Sequence, residues 1–178
     1  MTAVVAGPGM GAVGTSGQEH PAGAALGDER SETICVDLDS TLCDTRHRHP
    51  MVLSGEDRDR TDWVAYSLAC EADAPIQGTC HLVRLLVRHY RIVLVSSRDE
   101  AARSLTERWL EEYDVPYDEL ILGGVAGAPE GLEEFKVHHV RSLLERGEKV
   151  VLVIDDLPTL PAAMAAVGVP TLSVRPPY

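Results

Sequence analysis

Two runs of β-branched and apolar residues in this chain end abruptly in paired carboxylates. Residues 33–36 (TICV) stop at Asp37 and Asp39, and residues 150–154 (VVLVI) stop at Asp155 and Asp156. Short apolar runs of this length read as strands buried on both faces, the kind found in parallel sheets. Residues two apart on an extended backbone point the same way, so Asp37 and Asp39 can share one small volume at the strand's carboxyl end. Open α/β sheets receive ligands there. Carboxylates so close repel, and the repulsion is relieved by a raised pKa or by a cation, for which a hard divalent ion such as Mg²⁺ is suited.

The segments between and after these runs fit an alternating β/α order. Residues 91–95 (RIVLV) form another strand pattern, ending in Ser96, Ser97 and Arg98. Asp99 is placed to cap a helix reaching about Tyr113, with Leu105, Trp109 and Tyr113 on one face. Ser96 therefore falls between a strand end and a helix start, where free backbone N–H groups favour an anion, although a capping serine explains it equally. A short strand at 120–122 leads into a glycine-rich loop from Gly123 to Gly131. A helix follows, with Phe135, Val140, Leu143 and Leu144 on its apolar side and Gly147 at its end. A short helix over 162–167 and a last strand over 171–174 complete a parallel, doubly wound α/β sheet.

Lys136 stands out within this pattern. It lies in the first turn of its helix, where the dipole favours anions, so helix stability does not account for it. The chain has two lysines against fourteen arginines. The other, Lys149, reads as a solvated turn residue.

Residues 44–62 are polar and mixed in charge, a loop, followed by a short helix capped by Thr61 or Asp62 and carrying Trp63, Tyr66 and Leu68. Pro75 is placed in the first turn of a second helix that carries Cys80, Val83 and Val87. The insert at about 44–75 is thus a small cap at most. His47 and His49 lie in it without metal-ligand geometry.

Residues 1–31 are rich in Gly, Ala and Pro and are expected to form a flexible tail, leaving residues 32–178 as the folded domain. Gly9, Gly11 and Gly14 there mimic a dinucleotide-binding fingerprint. Gly17, Pro21 and Gly23 would break the helix that fingerprint requires, so no nicotinamide or flavin cofactor is expected.

The net charge of −12 and pI of about 4.9 disfavour a polyanionic partner. The four cysteines, Cys35, Cys43, Cys70 and Cys80, have no C-x-x-C spacing and are expected as reduced thiols of a cytoplasmic protein. No apolar run is long enough to span a membrane, and no signal peptide is recognisable.

The order D-L-D-S-T, a strand ending S-S-R, Lys136, then I-D-D resembles the four motifs of haloacid dehalogenase-type phosphatases, and the resemblance covers residues 33–174. Asp62–Trp63 and the T-E-x-W-L of residues 106–110 are similar to the phosphatase domain of phage-type polynucleotide kinases and to small deoxyribonucleotidases. The resemblance implies a Mg²⁺-dependent phosphomonoesterase. Asp37 would be the nucleophile and Asp39 the general acid and base. Mg²⁺ would be held by Asp37, the backbone carbonyl of Asp39 and Asp156, with Asp155 a ligand or adjacent to one. Ser96 would hold a phosphoryl oxygen and Lys136 would neutralise its charge. Thr41 would support the nucleophile loop, and Ser97, Arg98 and Trp63 would lie on the substrate side.

Two departures from the motifs matter. Ser97 stands where a glycine is usual, and Gly123 and Gly124 stand where polynucleotide-processing relatives usually carry an arginine. With the acidic charge, the second departure favours a small substrate, a nucleoside 5′-monophosphate first, with Trp63 or Tyr66 able to stack a base. The alternatives are a 3′-phosphatase for DNA or RNA ends and a non-catalytic phospho-acceptor module like a bacterial receiver domain. In the latter, lysine follows the acids, whereas here it precedes the final pair. A homodimer is left open.

Overall fold

The computed structural model describes Met1 and residues 30–54, 57, 60–123 and 131–175. The glycines at 9, 11 and 14 and Gly124 lie outside the described residues. Five parallel strands form the central sheet: β1 (Glu32–Val36), β4 (Arg91–Ser96), β5 (Glu119–Leu122), β6 (Lys149–Asp155) and β7 (Thr171–Ser173). Their spatial order is β5-β4-β1-β6-β7. The chain steps outward from β1 through β4 to β5, then returns to β1's other side for β6 and β7. Its direction of winding therefore reverses at β1, and the carboxyl end of β1 is the crevice where such a sheet opens.

Alternation along the strands divides the core into two layers. Ile34, Val36, Ile92 and Leu94 face one side, where they pack with Cys80 and Val83 of α2 (Gln77–Leu86) and Trp109 and Leu110 of α3 (Arg103–Glu112). Cys35, Val93, Val95 and Val153 face the other, against Val140 and Leu143 of α4 (Gly131–Glu145) and Leu160 and Met164 of α5 (Leu160–Ala165). Each fully buried aliphatic or aromatic side chain contributes about 1.5–3 kcal/mol of transfer free energy. Two residues past the end of α4 stands Gly147, whose φ of +86° permits the left-handed turn in which the Glu148 N–H donates to the Leu143 carbonyl at 3.1 Å.

The insert leaves and rejoins this frame at one place. β2 (Cys43–Asp44) pairs antiparallel with β3 (Ala74–Pro75), Cys43 opposite Pro75 and Asp44 opposite Ala74. Pro75 therefore belongs to this ribbon and not to α2, which starts at Gln77. A proline fits a two-stranded ribbon, where its missing N–H need not interrupt a ladder. Between the ribbon strands lie a 3-10 turn (Arg46–Met51), α1 (Trp63–Leu68) and a second 3-10 turn (Ala69–Ala72). The Asp62 side chain caps α1 by accepting from the Ala65 N–H at 2.9 Å. Asp99 caps a 3-10 turn over Glu100–Ala102, which then leads into α3.

All four cysteines are buried and unpaired. Among the described residues no helix is long and apolar enough to cross a membrane.

Candidate active site

Because Val36 is paired with Leu94 on one side and Ile154 on the other, β1 and β6 deliver Asp37 and Asp155 side by side at the sheet's carboxyl edge. The Asp37 N–H still donates to the Ile154 carbonyl at 3.0 Å, which prolongs the β1–β6 ladder by one residue. The chain then coils tightly. The Leu38 carbonyl accepts from the N–H groups of Thr41, Leu42 and Cys43 at 3.2, 2.8 and 2.9 Å. This coil puts Ser40 at φ +64°, a left-handed conformation that Ser adopts only when its surroundings hold it there. The Ser40 hydroxyl lies 3.0 Å from that of Thr45, and the Ser40 N–H donates to the Cys43 carbonyl at 2.8 Å.

Lys136 reaches the same edge from α4. It is four residues before Val140 and seven before Leu143, so helical periodicity puts it on the buried face. Its ammonium lies 3.1 Å from Asp37 Oδ1 and 2.6 Å from Asp155 Oδ2. Both Asp155 oxygens are engaged, since Oδ1 accepts from the Leu157 N–H at 2.8 Å. Asp156 is less buried than Asp37 or Asp155.

Asp37, Asp155 and Asp156 each bring one carboxylate oxygen within 4.8 Å of the others. Burial pushes the Asp37 carboxyl well above its ordinary value; Lys136 opposes that shift, and Asp155, Asp156 and Asp39 add to it. Burial likewise pushes Asp156 to about 6, against Lys136 and with Asp155. For Lys136, burial disfavours the ammonium, but Asp37 and Asp155 outweigh it and hold the charge in place. Three carboxyls facing one ammonium form an all-oxygen donor set that carries an excess of negative charge once deprotonated, which suits a hard divalent cation such as Mg²⁺.

Asp39 turns away from this cluster into a second one. Its Oδ1 accepts from Arg48 Nη2 at 2.9 Å and from Arg98 Nε at 2.7 Å. Burial raises its pKa, but the guanidiniums of Arg98 and Arg48 win and hold it below the ordinary aspartate value. Behind the arginines lies Asp73, fully buried. It accepts from Arg48 Nε at 2.9 Å and Nη2 at 2.6 Å, and from Arg98 Nη2 at 2.9 Å. His47 Nε2 is 2.8 Å from Asp73 Oδ1. The Tyr66 ring covers the Arg48 guanidinium at 4.4 Å, and the Tyr66 carbonyl accepts from Arg48 Nη1 at 3.1 Å.

The remaining candidates are distributed around these clusters. Ser96 is buried at the end of β4, and its hydroxyl accepts from the Arg98 N–H at 3.3 Å. Ser97 is half-buried and has no positive φ, so its Cβ carries no backbone penalty. Arg98 is fully buried with its guanidinium committed to Asp39, Asp73 and Thr106, so it meets a substrate only by way of Asp39. Thr41 is fully buried, and its hydroxyl has no hydrogen-bond partner among the described residues. Trp63 is half-exposed on α1, edge-to-face with Tyr66 at 5.6 Å. His49 contacts the Thr45 hydroxyl at 3.1 Å.

Arg48 and Asp73 escape a reading of the sequence alone. The one signal pointing to them is the heavy preference for arginine over lysine, since guanidinium is the cation best suited to buried, two-pronged ion pairs.

No protein-family model and no curated protein matches the chain. Solved structures do. A chain of the Pnkp1/Rnl/Hen1 RNA repair complex superposes with a TM-score of 0.62 at 19% identity over 84% of this chain and 44% of that one. A haloacid dehalogenase family enzyme from Bacteroides thetaiotaomicron, in complex with magnesium and inorganic phosphate, gives a TM-score of 0.52 at 11% identity over 83% and 96%. An L-2-haloacid dehalogenase gives 0.56 at 15% over 83% and 85%. The chain thus spans less than half of the repair-complex chain it matches. At these identities the likeness is one of fold: the chain is a doubly wound α/β protein whose fold is similar to that of these haloacid dehalogenase family structures.

Proposed function

We propose that the chain is a Mg²⁺-dependent phosphomonoesterase that works through an aspartyl-phosphate on Asp37. The observation that carries this reading is the placement of Lys136 between Asp37 and Asp155, with Asp156 completing a three-carboxylate cluster and Asp39 two residues from Asp37. A cation held by Asp37, Asp156 and the Asp39 carbonyl, with Asp155 beside it, would offset phosphoryl charge that otherwise repels the nucleophile. An Asp37 oxygen attacks phosphorus as the bond to the leaving oxygen breaks, and that oxygen takes a proton from Asp39. Water then attacks the aspartyl-phosphate, gives a proton to Asp39 and releases phosphate. Lys136 and the Ser96 hydroxyl neutralise and hold the equatorial oxygens.

Asp39 distinguishes this proposal from dehalogenation within the same fold. A halide departs without a proton, whereas an alkoxide needs one. The resting structure holds Asp39 ionised between two guanidiniums, the state required of the base in the second step. A phosphoryl dianion arriving beside it raises its proton affinity by repulsion and so favours the acid of the first.

The substrate we favour is a small phosphorylated metabolite, a nucleoside 5′-monophosphate first. The support is the acidic charge of the chain and the half-exposed Trp63 on Tyr66. One specific observation favours a 3′-phosphatase for DNA or RNA ends instead, the likeness to a chain of an RNA repair complex. Phosphate release from nucleoside 5′-monophosphates and from 3′-phosphorylated oligonucleotides, with halide release from a 2-haloacid as the contrast, decides among them. Oligonucleotide turnover that falls steeply with salt would select the 3′-phosphatase. Halide release without phosphate release would overturn the phosphatase reading.

A further inference from the structure

Asp73 belongs to the insert, far in sequence from either acidic strand end, yet it is as buried as any core leucine. Its backbone is pinned. The Trp109 indole N–H donates to the Asp73 carbonyl at 2.8 Å, and the Asp73 N–H donates to the Cys70 carbonyl at 3.1 Å. Its side chain accepts from three guanidinium nitrogens, two of Arg48 and one of Arg98, and the same two guanidiniums bridge to Asp39 Oδ1, Arg48 through the Nη2 it shares with Asp73 and Arg98 through Nε, with its Nη2 2.6 Å away. Arg98 is steadied further by Thr106, to whose hydroxyl Nη1 donates at 3.2 Å.

Two buried guanidiniums therefore lie between two carboxylates. One carboxylate, Asp39, is partly open to the site, and the other, Asp73, is sealed from solvent. Neither arginine is exposed, so neither is free to bind a substrate oxygen in this arrangement. A stability role alone would be met as well by apolar residues of the same volume, because burying four charges carries a desolvation penalty that their attraction barely offsets. What the network supplies is orientation: each planar guanidinium is fixed at two points, Arg48 by both Asp73 oxygens and Arg98 by Asp73 and Thr106, so the N–H groups that reach Asp39 Oδ1 come from a set direction.

We infer that Asp73 is a positioning residue for leaving-group protonation, setting the place of the Asp39 carboxyl through Arg48 and Arg98. This rests on the phosphatase reading, in which Asp39 transfers the proton. Its signature is selectivity by leaving group. A nucleoside monophosphate expels a strongly basic alkoxide that must be protonated as it leaves, whereas p-nitrophenyl phosphate expels a stabilised phenolate that need not be.

The test compares kcat for p-nitrophenyl phosphate with kcat for a nucleoside 5′- or 3′-monophosphate, whichever the wild-type protein turns over. In Asp73→Asn, kcat for the nucleotide falls about 10²-fold, within the range of a lost general acid, while that for p-nitrophenyl phosphate falls less than about 3-fold. KM for the nucleotide stays within about 3-fold, because Asp73 touches no phosphate. In the double variant with Asp39→Asn, nucleotide turnover is no lower than in Asp39→Asn alone, as expected when one residue acts only through the other. Equal losses on both substrates, or a further loss in the double variant, would overturn the inference and leave Asp73 a purely structural residue. If Asp73→Asn is not recovered folded, Asp73→Glu, which keeps the charge but displaces it by one methylene, takes its place in the same comparison, with the same outcomes supporting or overturning the inference. Wild-type protein inert toward every monoester would instead overturn the phosphatase reading, and the inference with it.

Discussion

Lys136 and Asp37 meet at 3.1 Å although they come from elements a hundred residues apart, because a helical lysine four residues before a core valine is aimed at the end of β1. Replacing Lys136 by Met keeps its bulk but leaves Asp37 and Asp155 facing each other without a cation. Turnover is expected to fall about 10²–10³-fold, the range for loss of one group that stabilises transition-state charge. Steady-state phosphate release checks this. A loss under tenfold would remove Lys136 from the proposed mechanism.

Asp37→Asn is isosteric and relieves burial of a carboxyl that the fold already pushes toward its neutral form. The variant should be folded and at least as heat-resistant as the parent without metal, yet inactive. Substantial turnover would show that the nucleophile lies elsewhere.

Metal affinity should tighten as pH rises from about 5.5 to 7.5. Asp156 is shifted to about 6 and Asp37 is shifted upward, so at the lower end of this range both hold protons in the metal-free protein that a cation must displace. The sign for stability is opposite. Carboxyls whose pKa is raised by folding stabilise the metal-free protein below their unfolded value of about 4 and lose that contribution as pH climbs through the folded value. Magnesium should therefore raise the melting temperature more at pH 7.5 than at pH 5.5. Because both Asp155 oxygens are already engaged, Asp156→Ala should weaken magnesium binding more than Asp155→Ala does. Calorimetric titrations at two pH values measure both effects, and a pH-independent affinity would contradict them.

Asp114 follows α3 with φ +50° and a nearly fully exposed side chain. Asp114→Gly should stabilise the protein by less than about 1 kcal/mol, because removal of the left-handed penalty is partly offset by glycine's greater loss of backbone freedom and by loss of the 3.7 Å pairing with Arg84. Thermal melting shows the shift, and phosphate release should not change. Gly123→Ala should act oppositely, since a Cβ there would lie 2.5 Å from Phe135 Cε2, beside Lys136. A loss of about 1–3 kcal/mol, with reduced turnover, is expected from such overpacking.

Every residue assigned to the proposed site lies at or beyond Asp37. Protein beginning at Arg30 keeps the ion pair between Arg30 and Asp118 at 2.7 Å, so removing residues 1–29 should leave phosphate release nearly unchanged. A large loss would give that segment a part in the site.

Much of this molecule can be read from its strands. TICV, RIVLV and VVLVI each bury side chains on both faces, and such runs announce a parallel sheet and place its carboxyl edge, where the proposed site lies, at Asp37, Ser96 and Asp155. Lys136 is legible because helix chemistry alone leaves it unexplained. Arg48 is not, because residues 44–62 carry charges throughout and no periodicity separates a buried arginine from solvated ones. Asp73 is hidden in the same way, in an acidic stretch whose neighbour Glu71 is exposed. Pro75 misleads because a proline before a helix fits its first turn as well as the ribbon strand it occupies.

The ribbon formed by Cys43–Asp44 and Ala74–Pro75 is a single doorway through which the insert departs and returns. Seen as architecture, it invites exchange, since a segment whose two ends meet can be replaced by a longer or shorter one without disturbing the sheet. But Arg48 and Asp73 stand inside that doorway while Asp39 and Arg98 stand outside it. A transplanted insert would have to bring its own guanidinium and carboxylate in matching positions, because one chosen for shape alone would leave Asp39 without Arg48 and Arg98 without Asp73.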